Sequence, residues 1–245
     1  YSLSIYSPGG TVEEKVGEIV NGYNCSLDEG ANNGYLHGTQ VTLTTTPDPG
    51  YTFQSYEEND ATLTTDNPTT ITMNDHRNIE AYITQDCYSL DILTAFGTVE
   101  QKVGEIVDGF NCSVSGGEDD GYAYGTVVTL TATPDYGYAF GNWAEGGGPT
   151  SFDNPTTVTM QFDREVQAYF YLLCYEVDTY VEIGGTVSQS VGGVSPGFNC
   201  SLNDDGNLDG YTLGTEVVLT PDPDPGYVFT EWQENDLLYS TDNPV

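Results

Sequence analysis

Hydrophobic and polar residues alternate in short runs along this chain, with a period of two. Tyr1, Leu3 and Ile5 alternate with other residues in the first run, and Val41 and Leu43 alternate with threonines in a later one. This pattern is typical of β-strands that bury one face, and the β-branched residues favour strands too. Further strands are expected in the same way at residues 11–12, 51–53, 69–73 and 79–83.

Glycine and proline lie between these runs, where they act as turn signals. Pro8-Gly-Gly separates the first two expected strands, and Pro47-Asp-Pro-Gly precedes Tyr51. We therefore expect the first two strands to form a hairpin. Only residues 13–20 have a pattern that would allow a short helical turn. The chain is expected to be mainly β.

The same series of motifs occurs three times. Tyr1-Ser-Leu-Ser-Ile, Tyr88-Ser-Leu-Asp-Ile and Tyr175-Glu-Val-Asp-Thr open the copies, 87 residues apart. Asn-Cys-Ser, Gly-Thr-x-Val, Pro-Asp-x-Gly-Tyr and Asp-Asn-Pro follow in each copy. This predicts three small β domains in tandem, at residues 1–87, 88–174 and 175–245, here named repeats 1, 2 and 3. Such arrays usually set length, valency or spacing rather than perform chemistry.

Repeat 3 ends at Asn243-Pro-Val, before the counterparts of the last two strands of repeat 1. We expect it to be incomplete, without its closing strands. Two explanations stay open: the sequence is part of a longer array, or another chain supplies the missing strand by adding to an open sheet edge.

The chain is strongly acidic, with 38 Asp and Glu against four Lys and Arg, and a formal net charge of −34. Phosphate would be repelled, which excludes nucleic acid as an expected partner, and anionic lipid is disfavoured for the same reason. No apolar run has the length of a membrane span. The 19 Tyr and 9 Phe indicate folded rather than disordered structure.

The cysteines occupy two slots of the repeat. Cys25, Cys112 and Cys200 fill one, and Cys87 and Cys174 fill the other. This regularity indicates a disulfide framework and an extracellular, oxidising location. The expected hairpin favours Cys87–Cys112 and Cys174–Cys200, with the partner of Cys25 lying just before Tyr1. The alternative is Cys25–Cys87 with Cys112–Cys174.

Each Asn-Cys-Ser is also an acceptor sequence for N-linked sugar, at Asn24, Asn111 and Asn199. Because duplication copies every feature of a repeat, the recurrence adds little support. Glycosylation at these residues is a prediction from the motif alone.

One loop has the spacing of a calcium site. Asp205, Asn207, Asp209 and Glu216 match positions 1, 3, 5 and 12 of an EF-hand loop, with Gly210 at position 6. No flanking helices are expected, so a solvated acidic loop is the competing interpretation. Calcium is the one cofactor that the sequence suggests.

No catalytic motif is present, and the remaining candidates have structural interpretations. Lys15 and Lys102 share a slot that would suit an isopeptide bond, but ion pairs with Glu13 and Glu100 are expected instead. Aromatic residues recur at alternate positions that favour a core over a sugar-binding face: Tyr51, Phe53, Tyr138, Phe140, Trp143, Tyr227, Phe229 and Trp232.

The motif series from Gly125 to Phe170, with Gly-Thr-x-Val-Thr-Leu-Thr, Pro-Asp-x-Gly-Tyr-x-Phe-x-x-Trp and Asn-Pro-Thr-Thr-Val-Thr-Met, resembles bacterial surface repeats related to the internalin B-repeat. The resemblance implies a small β-grasp-like module in an extracellular stalk or adhesin, without catalytic residues. Repeat 1 departs from it by having Tyr56 where the others have Trp143 and Trp232.

These observations predict a non-enzymatic structural protein, secreted or on the cell surface. It would be a stalk, or a filament of copies joined end to end, with strand exchange as a possible joint. The alternative is an adhesin that binds a glycan or a host protein through acidic loops or aromatic faces. A third possibility is a spacer that holds a catalytic domain.

Overall fold

The computed structural model describes residues 1–202 and 206–245, and in this part of the chain it contains 24 strands and no helix. The prediction of a mainly β protein built from small repeated sheets is confirmed. Residues 13–20 form two short antiparallel strands rather than a helical turn. Within the described ranges, no helix combines the length and hydropathy needed to cross a bilayer.

The strands are numbered in chain order. Repeat 1 contains β1 (Leu3–Tyr6), β2 (Gly10–Val16), β3 (Ile19–Val20), β4 (Thr39–Pro47), β5 (Tyr51–Glu58), β6 (Ala61–Thr64), β7 (Thr69–Met73) and β8 (Arg77–Gln85). The next stretch contains β9 (Cys87–Tyr88), β10 (Leu90–Thr94), β11 (Gly97–Val103), β12 (Ile106–Val107), β13 (Tyr122–Ala123), β14 (Val127–Pro134), β15 (Tyr138–Glu145), β16 (Gly148–Ser151), β17 (Thr156–Thr159) and β18 (Arg164–Leu172). Repeat 3 contains β19 (Cys174–Tyr175), β20 (Gly185–Ser190), β21 (Tyr211–Thr212), β22 (Val218–Pro223), β23 (Trp232–Glu234) and β24 (Leu237–Ser240).

Repeat 1 consists of two four-stranded sheets with the orders β1-β8-β5-β6 and β3-β2-β4-β7. The first strand pairs in parallel with the last, with Ile5 opposite Ile79. The expected hairpin of the first two strands is therefore wrong, because β1 and β2 belong to different sheets. The turn at Gly9, which has a φ of 86°, sends the chain from one sheet to the other, and β2 pairs with β4 instead.

Alternate residues of these strands form the core of repeat 1. Val41 and Leu43 from β4 are fully buried, together with Ile79 and Ala81 from β8 and the ring of Tyr56 from β5. Burying an aliphatic side chain of this size contributes about 1.5–3 kcal/mol. The core therefore depends on strands from both ends of the repeat.

The described residues group into two compact units. The first comprises residues 1–92, 100–131 and 155–166, and the second comprises 93–99, 132–154 and 167–245. Repeat 1 lies in the first unit, and repeat 2 contributes strands to both. The three domain ranges expected from the repeats stay a prediction.

Repeat 2 follows the strand orders of repeat 1, β10-β18-β15-β16 and β12-β11-β14-β17. In the second unit, β15 pairs antiparallel with β18, and Trp143 lies opposite Ala168. This pairing covers Trp143, which is 1% exposed.

Repeat 3 keeps only part of this arrangement. Strands β20 and β22 pair as β2 and β4 do, and Leu219 exchanges two backbone hydrogen bonds with Val245, at 2.6 and 3.0 Å. The described residues of repeat 3 contain no counterpart of β8, and no strand forms at residues 176–184 or 224–231. These are the segments that correspond to the two neighbours of β8.

Candidate functional site

The structure joins Cys87 to Cys112 and Cys174 to Cys200, with Cα atoms 5.9 and 5.8 Å apart. These are the pairs that the sequence favoured, but the expected hairpin does not bring them together. Instead, β9 pairs with β13, and Cys112 forms an isolated bridge with Gly121 immediately before β13. The pairing therefore depends on the acidic loop folding back, which the sequence argument did not include.

Cys25 has no disulfide partner among the described residues. It forms the same backbone bridge, with Gly34, that Cys112 forms with Gly121 and Cys200 forms with Gly210. The loop geometry of the three repeats is thus shared, whether or not the cysteine is bonded.

The asparagine of each Asn-Cys-Ser holds the loop that follows it. The side-chain carbonyl of Asn24 accepts a hydrogen bond from the Leu36 backbone N–H at 2.7 Å, and its amide donates to the Thr39 hydroxyl at 3.0 Å. Asn111 and Asn199 make the equivalent pair of bonds. The motif has a structural role in every repeat, and glycosylation at these exposed residues stays a prediction.

The candidate calcium ligands are only partly described, because Asp205 lies outside the described residues. Asp209 accepts a hydrogen bond from the backbone N–H of Leu202 at 2.6 Å. Asp120 has the same role in repeat 2, where it accepts from Val114 at 2.6 Å. Hydrogen bonds from the Ser115 hydroxyl and from the backbone lower the pKa of Asp120. The Asp120 carboxylate therefore stabilises the fold of its own loop.

Glu216 is exposed and lies before β22 rather than within a strand, and Asn207 is exposed as well. Across the residues whose positions are described, no group of three acidic, histidine or cysteine side chains is arranged to hold a metal ion. Calcium binding by Asp205, Asn207, Asp209 and Glu216 stays a prediction.

The Asn-Pro motif fastens a loop to the central strand of the repeat. Asn154 donates to the backbone carbonyl of Ala132 at 2.7 Å and accepts from its N–H at 2.9 Å. Asn67 makes the same two bonds with Thr45, both at 2.8 Å. Trp143 adds a bond from its indole N–H to the carbonyl of Asp153, at 2.9 Å. The Asn-Pro motif therefore has a structural role, because its asparagine binds the backbone of a strand in both repeats.

A buried tyrosine recurs beside the second strand of each repeat. Tyr35 donates to Glu14 at 2.8 Å, and Tyr122 and Tyr211 donate to Gln101 and Gln189. Burial raises the pKa of Tyr35, and the hydrogen bond with Glu14 raises it further. Burial also raises the pKa of Tyr122 to about 12. These hydroxyls are therefore protonated hydrogen-bond donors at neutral pH.

The expected ion pairs of the lysines are present. Lys15 contacts Glu13 and Lys102 contacts Glu100, each at 2.5 Å. A pair that the sequence did not single out joins Arg77, the first residue of β8, to Glu58, the last of β5. The guanidinium donates two hydrogen bonds, at 2.9 and 2.6 Å, and the contact lowers the pKa of Glu58.

A groove of about 700 Å³ lies in repeat 3, between residues 178–187 and residues 227–236. The side chains of Val187, Leu219, Phe229 and Trp232 are among those that line it. Phe229 packs against Trp232 with ring centroids 5.0 Å apart. The same contact in repeat 2, between Phe140 and Trp143 at 5.3 Å, lies under β18.

Leu219 and Trp232, which line the groove, are half-buried, whereas their counterparts in repeats 1 and 2 are buried. Leu219 is intermediate in exposure, whereas its counterpart Leu43 in repeat 1 is fully buried. The groove is the candidate binding site of the described chain. Sequence reasoning named Phe229 and Trp232 as core residues and did not identify the groove beside them.

The comparisons with known proteins agree with this architecture. The model of the divergent InlB B-repeat domain matches residues 1–86, 104–172 and 193–244. No curated protein matches the chain, and no solved structure does either. Since the matched residues make up most of the sequence and recur in all three repeats, the chain belongs to the divergent InlB B-repeat domain family.

Proposed function

We propose that this chain is a non-enzymatic extracellular structural segment, in which acidic β repeats are joined in series as a stalk on a bacterial surface. Family membership indicates a bacterial surface repeat domain. The finer statement concerns what the repeats do there. They set distance and carry other parts of a surface protein away from the cell.

The use of the recurring polar residues carries this proposal. The asparagines of Asn-Cys-Ser and Asn-Pro, the buried tyrosine and the tryptophan N–H each bond to the backbone or to a neighbouring side chain inside the same repeat. Repetition therefore preserves a fold rather than a reactive group. Tandem units whose shared residues are structural suit a spacer.

Two further properties support the proposal. Disulfides of the kind seen at Cys87–Cys112 and Cys174–Cys200 persist in oxidising compartments. The net charge of −34 keeps repeats soluble and apart by mutual repulsion.

A more specific version of the proposal is a filament, in which copies join end to end.

Negative-stain electron microscopy of the native material, at low and high salt, tests the proposal. A stalk predicts short strings of beads, each roughly 25–30 Å across from the scaling of compact domains. Regular fibres that persist at both salt concentrations would support the filament. Single compact particles without a serial arrangement would contradict both versions.

An adhesin is the second candidate, because repeat 2 exposes aromatic residues on one strand. Tyr169 and Tyr171 of β18 are 45% and 55% exposed, and Tyr171 lies opposite the small residue Ala139. Rings on a flat face beside small residues suit stacking on a sugar or on a host protein. A glycan array would test this candidate, and loss of binding in Y169S/Y171S would support it.

A further inference from the structure

We propose that repeats 1 and 2 share a stiff joint, in which a turn of repeat 1 packs on a turn of repeat 2. The two surfaces are residues 48–51, here named turn A, and residues 123–126, here named turn B. Both turns lie in the first compact unit. The inference deepens the stalk proposal and rests on it, because a spacer that sets a fixed distance needs joints that do not bend.

The connection between the two repeats is a single residue. Strand β8 ends at Gln85 and β9 begins at Cys87, so Asp86 alone lies between them. The N–H of Asp86 donates to the carbonyl of Gly50 in turn A at 2.8 Å, and its carbonyl accepts from the N–H of Tyr124 in turn B at 3.2 Å. The connecting residue is therefore bonded to both turns, which restricts its backbone rotation.

Side-chain and strand contacts hold the connection as well. The Thr52 hydroxyl of β5 donates to the carboxylate of Asp86 at 2.7 Å. On the other side, β9 pairs with β13, with Cys87 opposite Ala123, and the disulfide to Cys112 fixes Cys87 to repeat 2. The connection is thus attached to folded parts of both repeats.

Each of the two turns is itself closed by a hydrogen bond. The N–H of the last residue donates to the carbonyl of the first, at 3.1 Å in turn A and 3.0 Å in turn B. The third residue of each turn is a glycine with a positive φ, 81° at Gly50 and 82° at Gly125, as type II turns require. The contact between the turns therefore joins two well-defined pieces of backbone.

Turn A approaches Tyr124 so closely that only glycine fits at residue 50. A Cβ atom added at Gly50 would lie 2.5 and 2.6 Å from Cγ and Cδ1 of Tyr124, well inside the optimal separation of two carbon atoms. Gly137 has the same place in repeat 2 and a similar φ of 86°, but a Cβ there would meet no described atom within 4 Å. The tight contact is therefore a property of this joint and not of the turn motif.

Residual dipolar couplings of backbone amides, measured by NMR on the intact chain, test the joint directly. A single alignment tensor should fit the amides of β1 to β8 together with those of residues 100–131, because a stiff joint gives both sets one orientation. Two different tensors in the unsubstituted chain would overturn the proposal, whatever any variant does.

The variants G50A and G137A form a matched pair. Both force an alanine into a positive φ, but only G50A also pushes a methyl group into Tyr124. We expect G137A to keep the common tensor of β1 to β8 and residues 100–131, and G50A to lose it. G50A should also lower the melting temperature about twice as far as G137A, since overpacking adds a cost similar to that of the strained φ.

The variant Y124G removes the atoms that a methyl group at residue 50 would strike. In a Y124G background, the extra effect of G50A over G137A should disappear. The proposal is overturned if G50A matches G137A in both measurements, or if the extra effect persists without Tyr124. A flexible joint would leave the stalk proposal standing, because electron microscopy would still show beads in series.

Discussion

Trp143 and Trp232 occupy the same position of their repeats, yet their surroundings differ. Both pack against a phenylalanine three residues earlier, and both donate to the carbonyl of an aspartate, at 2.9 and 3.0 Å. Trp143 is nevertheless 1% exposed, whereas Trp232 is only half-buried. Local contacts are thus the same in the two repeats, and the difference comes from β18, which has no described counterpart in repeat 3.

The comparison shows that a strand depends on its neighbours as well as on its own residues. Tyr138 and Phe140 begin β15 in repeat 2, and the equivalent Tyr227 and Phe229 in repeat 3 form no strand. The alternating pattern is the same in both. A strand is stabilised by ladder hydrogen bonds and by cross-strand side chains, and both are missing where the closing strand is missing.

Replacing each tryptophan by alanine tests the comparison most strongly. We expect W143A to lower the free energy of unfolding by about 3–5 kcal/mol, because it leaves a large cavity under β18. W232A should cost clearly less, because water already reaches the ring. Urea unfolding followed by circular dichroism measures both, and equal losses would contradict the contrast between a closed and an open repeat.

Removing each disulfide by paired serine substitution is the next test. The two bonds close loops of similar length, with separations of 25 and 26 residues, for which chain entropy predicts about 3.5 kcal/mol. Loss of Cys174–Cys200 should unfold repeat 3 outright, because that repeat has little core. Loss of Cys87–Cys112 should leave repeat 2 folded and less stable. Limited proteolysis with mass analysis distinguishes the repeats.

Substitution of the Asn-Pro asparagines should have a smaller effect. N154A removes two hydrogen bonds to Ala132 and leaves buried backbone groups unsatisfied, which should cost about 1–3 kcal/mol. In repeat 3 the position of Ala132 is taken by Pro221, which has no N–H to donate. N243A should therefore have little effect. A similar loss of melting temperature in the two variants would show that the asparagine acts through other contacts.

The ion pair of Arg77 with Glu58 should give the smallest effect, and one that depends on pH. Hydrogen bonds from Arg77 lower the pKa of Glu58, so the pair contributes stability above the ordinary glutamate pKa of about 4.3. That contribution is lost as the pH falls through the lowered value. We expect E58Q to cost up to about 1 kcal/mol at pH 7, and this cost should shrink as the pH falls below the ordinary glutamate pKa. A loss that is independent of pH would contradict the charge argument.

Much of the site could be predicted from local pattern, and the rest required distant contacts. The cysteine slots were visible because they recur with the repeat. The reason that Cys87 meets Cys112 was not, since it depends on β9 pairing with β13 across an acidic loop. The ion pair of Arg77 with Glu58 gave no signal in the sequence, because it joins residues 19 positions apart in the chain.

The sequence by itself determined that the protein is β, that it contains three copies of one unit, and which alternate residues face a core. These properties follow from a period of two and from turn residues, which act over a few positions. The tertiary structure decided which strands pair, above all that β1 pairs in parallel with β8 rather than with β2. Sheet partners are selected by burying faces from distant segments together, and that selection cannot be made until both segments are present.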